Sequence, residues 1–284
     1  MNKDSPVTDT PRTTKNQRRD DAREAARIAR EKAAKRKKLL KWLIPTIASV
    51  VIVAVVAGVV WAVIALQPAP KKEAGPLNMI SDGIVFESDG AGGVQHVATK
   101  AIAKGADPVP TTPREGLLNI QTLVDFSCPA CKQFEENFST QIQQLVAEGT
   151  ATLEVRPVAI LDYRGYTTDY STRANNVAAC VANYAPESFL DVMAAMYSNQ
   201  PSEGGPGLSN SELVKIVTGT GLDNEDVNRC VSDESFTPWV TAATARSGVR
   251  GTPTVIINGT QWDSQAVPQF GDFVASELLK LQAE

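Results

Sequence analysis

The strongest constraint in the sequence is a long apolar stretch near its N-terminus. No charged residue occurs between Trp42 and Pro70, and LIPTIASVVIVAVVAGVVWAVIALQ within it is almost wholly apolar. About 20 apolar residues in a helix are enough to cross a bilayer, whereas the apolar core of a cleaved signal has only about 7–15. We therefore expect residues 42–67 to form a retained transmembrane helix, with a cleaved signal as the alternative.

Charge is distributed unevenly about this stretch. Residues 1–41 hold 14 Lys and Arg against 6 Asp and Glu, whereas the remainder holds 14 against 26. Because positive residues stay on the cytoplasmic side of a span, KRKKLLKW (35–42) predicts a single-pass protein of the cell membrane with a cytoplasmic N-terminus and an extracytoplasmic remainder. The basic tail, 1–41, is predicted to be partly disordered; it sets topology or contacts anionic membrane lipid. It lacks the interleaved aromatic residues that would favour nucleic-acid binding, so no nucleic-acid partner is expected.

The exported part has the pattern of a mixed α/β domain, with a stalk at 68–78 and a folded domain at 79–284. Glycine-rich DGAGGV predicts a turn and a solvated loop at His96, and Gly149 is a plausible end for the helix that begins at Pro129. A helical insertion is expected at about 165–248, before the last strands. The expected order is strand 79–88, strand 117–126, helix 129–149, strand 150–161, the helical insertion, strand 253–259, a hairpin strand at TQWD and a closing helix at 267–282.

Two of the four cysteines lie where a strand-like run meets a helix-like run. Cys128 and Cys131 enclose Pro129 and Ala130, and proline suits the first helical position because its missing N–H would go unused there. The free N–H groups and the dipole at a helix N-terminus favour a thiolate at Cys128. Cys131, one turn later, is placed to attack a mixed disulfide at Cys128. A structural disulfide is the alternative, but such a small loop constrains the unfolded chain little. The spacing therefore favours redox chemistry.

The other two cysteines, Cys180 and Cys230, fall at core-facing positions of the predicted helical insertion. In an exported domain an even number of cysteines favours disulfides. A bridge here would close a loop of 50 residues and contribute on the order of 3–4 kcal/mol; two buried free thiols are the alternative. A zinc site is disfavoured because the second two cysteines are far apart and His96 is the only histidine. We therefore expect a structural disulfide and no metal.

These motifs resemble a known family. VDFSCPACKQFEE, a helical block and then GVRGTPTVIING resemble the DsbA-like thiol–disulfide oxidoreductases of the thioredoxin superfamily, and look most like the membrane-anchored actinobacterial type. The resemblance covers roughly residues 76–284. It implies a thioredoxin-like fold with an inserted helical domain, Cys128 as attacking thiol and Cys131 as resolving thiol. It also implies that Pro253 is a cis-proline preceded by Thr252, and that Pro129, Ala130, Thr252 and Pro253 face the substrate.

Two positions depart from the family pattern. Many members have a histidine where this chain has Ala130, so the thiolate is expected to be stabilised less and the protein to be a milder oxidant. Members often have a glutamate six residues before the first cysteine, where this chain has Thr122. The proton acceptor is therefore not identified by the resemblance. Asp125 is expected to make local hydrogen bonds rather than to shuttle protons.

The expected function is the oxidation of cysteine pairs in newly exported polypeptides by a membrane-anchored disulfide oxidoreductase without a bound cofactor. The resemblance implies a quinone-linked membrane partner of the DsbB or VKOR type that reoxidises Cys128 and Cys131. Two alternatives remain open. The same fold can act as a reductase or isomerase, and a surface binding or chaperone-like module would use its cysteines only structurally.

Overall fold

The computed structural model describes residues 73–283 continuously and, before them, residues 24, 26–27, 30–32, 35, 53–59 and 61, all of which are helical. The chain divides into two units, Met1–Ala69 and Pro70–Glu284. Most of the predicted transmembrane segment, 42–67, lies outside the described residues, as does nearly all of the tail. Within the described part of the chain, no helix has both the length and the apolar character needed to span a bilayer.

Residues 73–283 of the folded unit contain six strands and seven helices longer than one turn. The strands are β1 (Ile84–Ser88), β2 (Val94–His96), β3 (Leu118–Val124), β4 (Ala151–Pro157), β5 (Thr254–Ile257) and β6 (Thr260–Gln261). The helices are α1 (Pro129–Ala147), α2 (Tyr170–Tyr184), α3 (Phe189–Ser198), α4 (Asn210–Gly219), α5 (Glu225–Ser232), α6 (Thr237–Ser247) and α7 (Phe270–Ala283). The predicted order of elements, with a helical insertion before the last strands, is confirmed except for β2, which was not expected.

The strands form one mixed sheet in the order β2-β1-β4-β3-β5-β6. The central pair, β3 and β4, is parallel, and α1 makes the crossover between them. All the other neighbours are antiparallel. The ends of β3 and β5 adjoin in register, Leu123 opposite Thr254, and this brings the segment after β3 beside the segment before β5.

Local signals explain where α1 and the last hairpin end. After α1, Gly149 adopts φ +71° and its N–H donates to the carbonyl of Val146 at 2.9 Å, a left-handed conformation that favours glycine. Asn258 and Gly259 both have positive φ, as a two-residue hairpin between β5 and β6 requires. Both predicted turns are confirmed.

The N-terminal part of the folded unit differs from the expectation. Residues 79–83 are turns rather than strand, and Asp82 has φ +67°. Its carboxylate accepts hydrogen bonds from Arg246 at 2.7 and 3.0 Å and from Trp239 at 3.2 Å. Buried Asn78 donates to the carbonyl of Ala182 at 2.8 Å, so the predicted stalk overlaps the folded unit. The turn is therefore held by tertiary contacts that local sequence does not reveal.

A second difference concerns the short edge strand β2. His96, expected in a solvated loop, lies in β2 opposite Phe86 of β1 and is only partly exposed. A strand of three residues is too short to show an alternating pattern in sequence. The expectation of a loop at His96 was therefore wrong.

Candidate active site

Cys128 lies at the N-terminal boundary of α1, directly after the loop that follows β3. Its backbone is extended (φ −86°, ψ 121°), and Pro129 occupies the first turn of the helix. The Cys128 N–H donates to the carbonyl of Asp125 at 2.9 Å. Pro129 and Ala130 are exposed, while the side chain of Cys128 is 7% exposed and that of Cys131 only 1%. Both cysteines are therefore buried, and Cys128 is the more exposed of the two.

The two cysteines are both thiols, and their acidities differ strongly. A hydrogen bond from the Cys131 thiol, aided by Thr252 and by the backbone N–H groups of Cys131 and Ala130, lowers the pKa of Cys128 from 9.0 to about 6 against the effect of burial. Burial, together with the hydrogen bond and charge of Cys128, raises the pKa of Cys131 well above 9.0. At neutral pH the site therefore presents one reactive thiolate and one buried thiol.

The loop before β5 forms the other side of the site. The Thr252–Pro253 peptide bond is cis. The Cys128 sulfur lies 3.4 Å from the carbonyl oxygen of Thr252. A groove of about 610 Å³ is lined by residues 247–254 and by Leu123, Ile256 and Gln261. Thr252 thus adjoins the Cys128 sulfur and, with Pro253, lines this groove.

Side chains of the helical insertion hold the backbone that carries Cys128. Gln200, just after α3, donates through Nε2 to the carbonyls of Phe126 at 2.9 Å and Cys128 at 3.1 Å. The Tyr166 hydroxyl lies 3.1 Å from the Ser127 carbonyl and 2.9 Å from that of Pro201. The insertion therefore contacts three successive carbonyl oxygens beside the reactive sulfur.

Asp125 is a fully buried hydrogen-bond acceptor beneath the same loop. Oδ1 accepts from the N–H and hydroxyl of Ser127 at 2.9 and 2.6 Å and from Asn175 at 3.2 Å. Oδ2 accepts from the N–H of Ile160 at 2.9 Å and the hydroxyl of Ser171 at 2.5 Å. Asp125 makes the expected local hydrogen bonds, to Ser127, and it also accepts from distant residues, two of them on α2.

Cys180 and Cys230 are joined to each other within the insertion, away from this pair. They link α2 to α5 through an S–S bond of 2.02 Å, with 5.8 Å between their Cα atoms. Both are buried, at 0% and 3% exposure. Among the described residues, no cluster of three or more His, Cys, Asp or Glu side chains is arranged to hold a metal ion. Cys180 and Cys230 are thus bridged, whereas Cys128 and Cys131 are free thiols.

Several site residues were not found from the sequence. Gln200 and Tyr166 lie 72 and 39 residues from their acceptors Cys128 and Ser127, and a lone glutamine or tyrosine carries no motif. Thr122, at the position of the family glutamate, is buried, and its hydroxyl lies 3.5 Å from the Glu154 carbonyl.

Comparison with known proteins decides the family. The thioredoxin family model matches residues 116–275, more than half of the chain, including Cys128, Cys131 and Pro253. The chain belongs to the thioredoxin family. Among curated proteins, no sequence matches.

Solved structures narrow the assignment. Oxidised DsbA from Mycobacterium tuberculosis is 29% identical, with a TM-score of 0.51 over 64% of this chain and 85% of that one. Reduced DsbA from the same organism is 27% identical, with a TM-score of 0.52 over 71% and 98%. The reduced disulfide bond oxidoreductase DsbG of M. tuberculosis is 30% identical, with a TM-score of 0.50 over 59% and 79%. The protein is accordingly a DsbA-like protein disulfide oxidoreductase of the thioredoxin superfamily.

Proposed function

We propose that this DsbA-like protein is anchored in the cell membrane by residues 42–67 and introduces disulfides into newly exported polypeptides. The observation that carries the proposal is the pairing of an acidic thiol at Cys128 with a buried, weakly acidic thiol at Cys131. Stabilising the Cys128 thiolate stabilises the reduced protein, and a more stable reduced form makes its disulfide a stronger oxidant. This asymmetry favours oxidation of clients over their reduction.

The reaction proceeds through two thiol–disulfide exchanges. A client thiolate attacks Cys128 Sγ, the Cys128–Cys131 bond breaks, and Cys131 leaves as a thiolate that takes up a proton. A second client thiolate then attacks the client sulfur of the mixed disulfide, and Cys128 leaves as a thiolate. The client has lost two electrons and gained a disulfide, and the enzyme has gained those two electrons and become a dithiol. The low pKa of Cys128 makes it a good leaving group in the second exchange.

Client binding is assigned to the groove beside Cys128. Residues 247–254 line it, and the carbonyl oxygen of Thr252 lies 3.4 Å from the Cys128 sulfur. An extended client segment along this loop would place its cysteine against Cys128. The exposed residues Pro129 and Ala130 would also face this client segment. Backbone contacts of this kind accept many sequences, which suits an enzyme with many exported clients.

The cycle closes when a membrane partner reoxidises the dithiol. We assign this step to a quinone-linked protein of the DsbB or VKOR type, since no cofactor is proposed for this chain. The membrane span, flanked by the basic segment KRKKLLKW, would hold both proteins in one bilayer and raise their local concentration.

Trapping in cells tests this proposal. The full chain with Cys131→Ala keeps Cys128 as the attacking sulfur but cannot resolve a mixed disulfide, so we expect reductant-sensitive adducts with exported proteins. The Cys128→Ala/Cys131→Ala variant is the matched control and should carry none. A clean absence of adducts from Cys131→Ala would favour a binding module with structural cysteines, and adducts confined to cytoplasmic proteins would contradict the proposed orientation.

A further inference from the structure

Tyr163 is an exposed tyrosine in a strained backbone conformation. Its φ is +54°, in the left-handed region, and the residue is 73% exposed. A positive φ is an outlier for a bulky residue, whereas Gly, Asn and Asp tolerate it. Of the other four non-glycine residues with positive φ in the described chain, three are Asn or Asp. The backbone conformation therefore gives no reason for an aromatic ring at this position.

The turn that carries Tyr163 is held by hydrogen bonds of its own. The N–H groups of Arg164 and Gly165 both donate to the Leu161 carbonyl, at 3.1 and 3.0 Å. The N–H of Tyr163 donates to the carbonyl of Thr168 at 3.2 Å. Strain of this kind persists only where the surrounding structure enforces it, and it clusters at functional sites. The turn thus keeps the tyrosine at its tip at the expense of local strain.

Both ends of this turn contact the loop that precedes the reactive cysteine. On one side the N–H of Ile160 donates to Asp125 Oδ2 at 2.9 Å. On the other side the Tyr166 hydroxyl lies 3.1 Å from the carbonyl oxygen of Ser127. Each contact is made by a residue three positions from Tyr163, and an extended residue spans at most about 3.6 Å. The turn therefore projects directly beside the loop that carries the reactive sulfur.

A second loop of the insertion supports the same turn. The N–H of Gly204 donates to the carbonyl of Gly165 at 2.7 Å, and the N–H of Thr167 donates to that of Gly205 at 2.9 Å. Gln200, at the start of this second loop, donates to the carbonyl of the reactive cysteine at 3.1 Å. Because the turn is already ordered, a contact with its tip costs little further conformational entropy.

We propose that Tyr163 is a specificity-determining residue, which binds an aromatic or long apolar client side chain near the reacting cysteine. This inference rests on the proposed oxidation of clients. The client segment that places its cysteine at Cys128 continues from the groove of residues 247–254 toward the insertion and passes the Tyr163 turn. A rigid, exposed tyrosine supplies a large contact area with few rotatable bonds. Aromatic and long apolar client residues cover its ring, whereas small polar residues do not.

A set of reduced two-cysteine peptides tests this contact. The reference peptide has serine at all four positions on either side of its first cysteine, and its second cysteine lies beyond them. Each of the other peptides has one phenylalanine at one of those positions. The full-length chain in detergent oxidises each peptide in a glutathione buffer, and kcat/KM is obtained from the loss of free thiols. The wild type should oxidise at least one phenylalanine peptide roughly tenfold faster than the reference, as one buried aromatic pair predicts.

Three variants show whether Tyr163 is the source of this preference. Tyr163→Asn removes the ring but keeps a residue that tolerates positive φ. It should oxidise the preferred peptide roughly tenfold more slowly, through a higher KM at unchanged kcat, and the reference peptide at the wild-type rate. Its urea midpoint should be no lower than that of the wild type. Tyr163→Phe should keep the preference. Tyr184→Asn, which changes a 44% exposed tyrosine at the far end of α2, is the matched control and should behave as wild type.

The remaining outcomes contradict the inference or the function beneath it. An unchanged preference in Tyr163→Asn overturns the inference, and so does a wild type that oxidises every peptide equally. An equal loss with all peptides in Tyr163→Asn also overturns it, because the tyrosine would then act only through the shape of the turn. A wild type that oxidises none of the peptides overturns the proposed function instead.

Discussion

The Cys128→Ser variant is expected to oxidise a reduced two-cysteine peptide no faster than buffer alone. A hydroxyl cannot form the mixed disulfide, and Cys131 cannot substitute because it is 1% exposed and its pKa is raised well above 9.0. The measurement is the loss of free peptide thiols in a redox buffer. The matched control makes the same chemical change at the other pair: Cys180→Ser/Cys230→Ser should retain activity at temperatures below its unfolding. Substantial activity in Cys128→Ser would show that the reaction does not require Cys128.

The pH dependence of the wild type gives the same prediction a second readout. Only the thiolate reacts with alkylating reagents, and the pKa of Cys128 is lowered to about 6. Alkylation of reduced Cys128 should therefore be slow below pH 6 and level off above it. The same lowered pKa makes the stability of the reduced fold depend on pH. Cys128 stabilises the reduced fold at high pH, and this contribution to the free energy of unfolding is lost as the pH falls from 9.0 through about 6. A midpoint near the ordinary thiol value would mean that the thiolate is not stabilised.

The second large effect is expected from removing the disulfide of the insertion. Replacing Cys180 and Cys230 together with alanine should lower the free energy of unfolding by about 3–4 kcal/mol, because the unfolded chain regains the freedom of a loop that spans 50 residues. For a domain of this size the melting temperature should fall by roughly 10 °C. Urea unfolding of the full chain measures the difference.

This variant also separates stability from catalysis. Because the disulfide joins α2 to α5 and takes no part in the Cys128 site, the alkylation midpoint of Cys128 should stay near pH 6. A free energy of unfolding equal to that of the wild type would show that loss of the crosslink does not increase the freedom of the unfolded chain. A shifted alkylation midpoint would show that the insertion acts on the thiolate through the helices.

Local sequence signals predicted the framework of this fold well. The strand-to-helix junction at Cys128, the end of α1 near Gly149 and the turn at Asn258 and Gly259 each depend on residues within a few positions of one another. Backbone conformations of this kind are determined by neighbours in the chain. The order of strands and helices followed from them, and the family resemblance supplied the thioredoxin topology.

The hydrogen-bonded surroundings of the site could not be predicted in the same way. Gln200 and Tyr166 meet the cysteine loop only because the insertion folds back onto it, and Ser171 and Asn175 reach Asp125 from α2. Such contacts depend on how distant elements pack. The strand β2 was missed for another reason: its three residues are too few to show the alternating pattern of a strand.

The reduction potential of the Cys128–Cys131 pair in the full-length chain tests the central claim most directly. The chain is equilibrated with glutathione buffers of known ratio, and its two redox forms are separated after acid quenching, with Cys180 and Cys230 checked to remain bridged. A stabilised Cys128 thiolate predicts an oxidising pair, with a potential nearer about −120 mV than about −270 mV. A value near about −270 mV, typical of a thioredoxin-like reductant, would contradict the proposed oxidase and favour a reductase of the same fold.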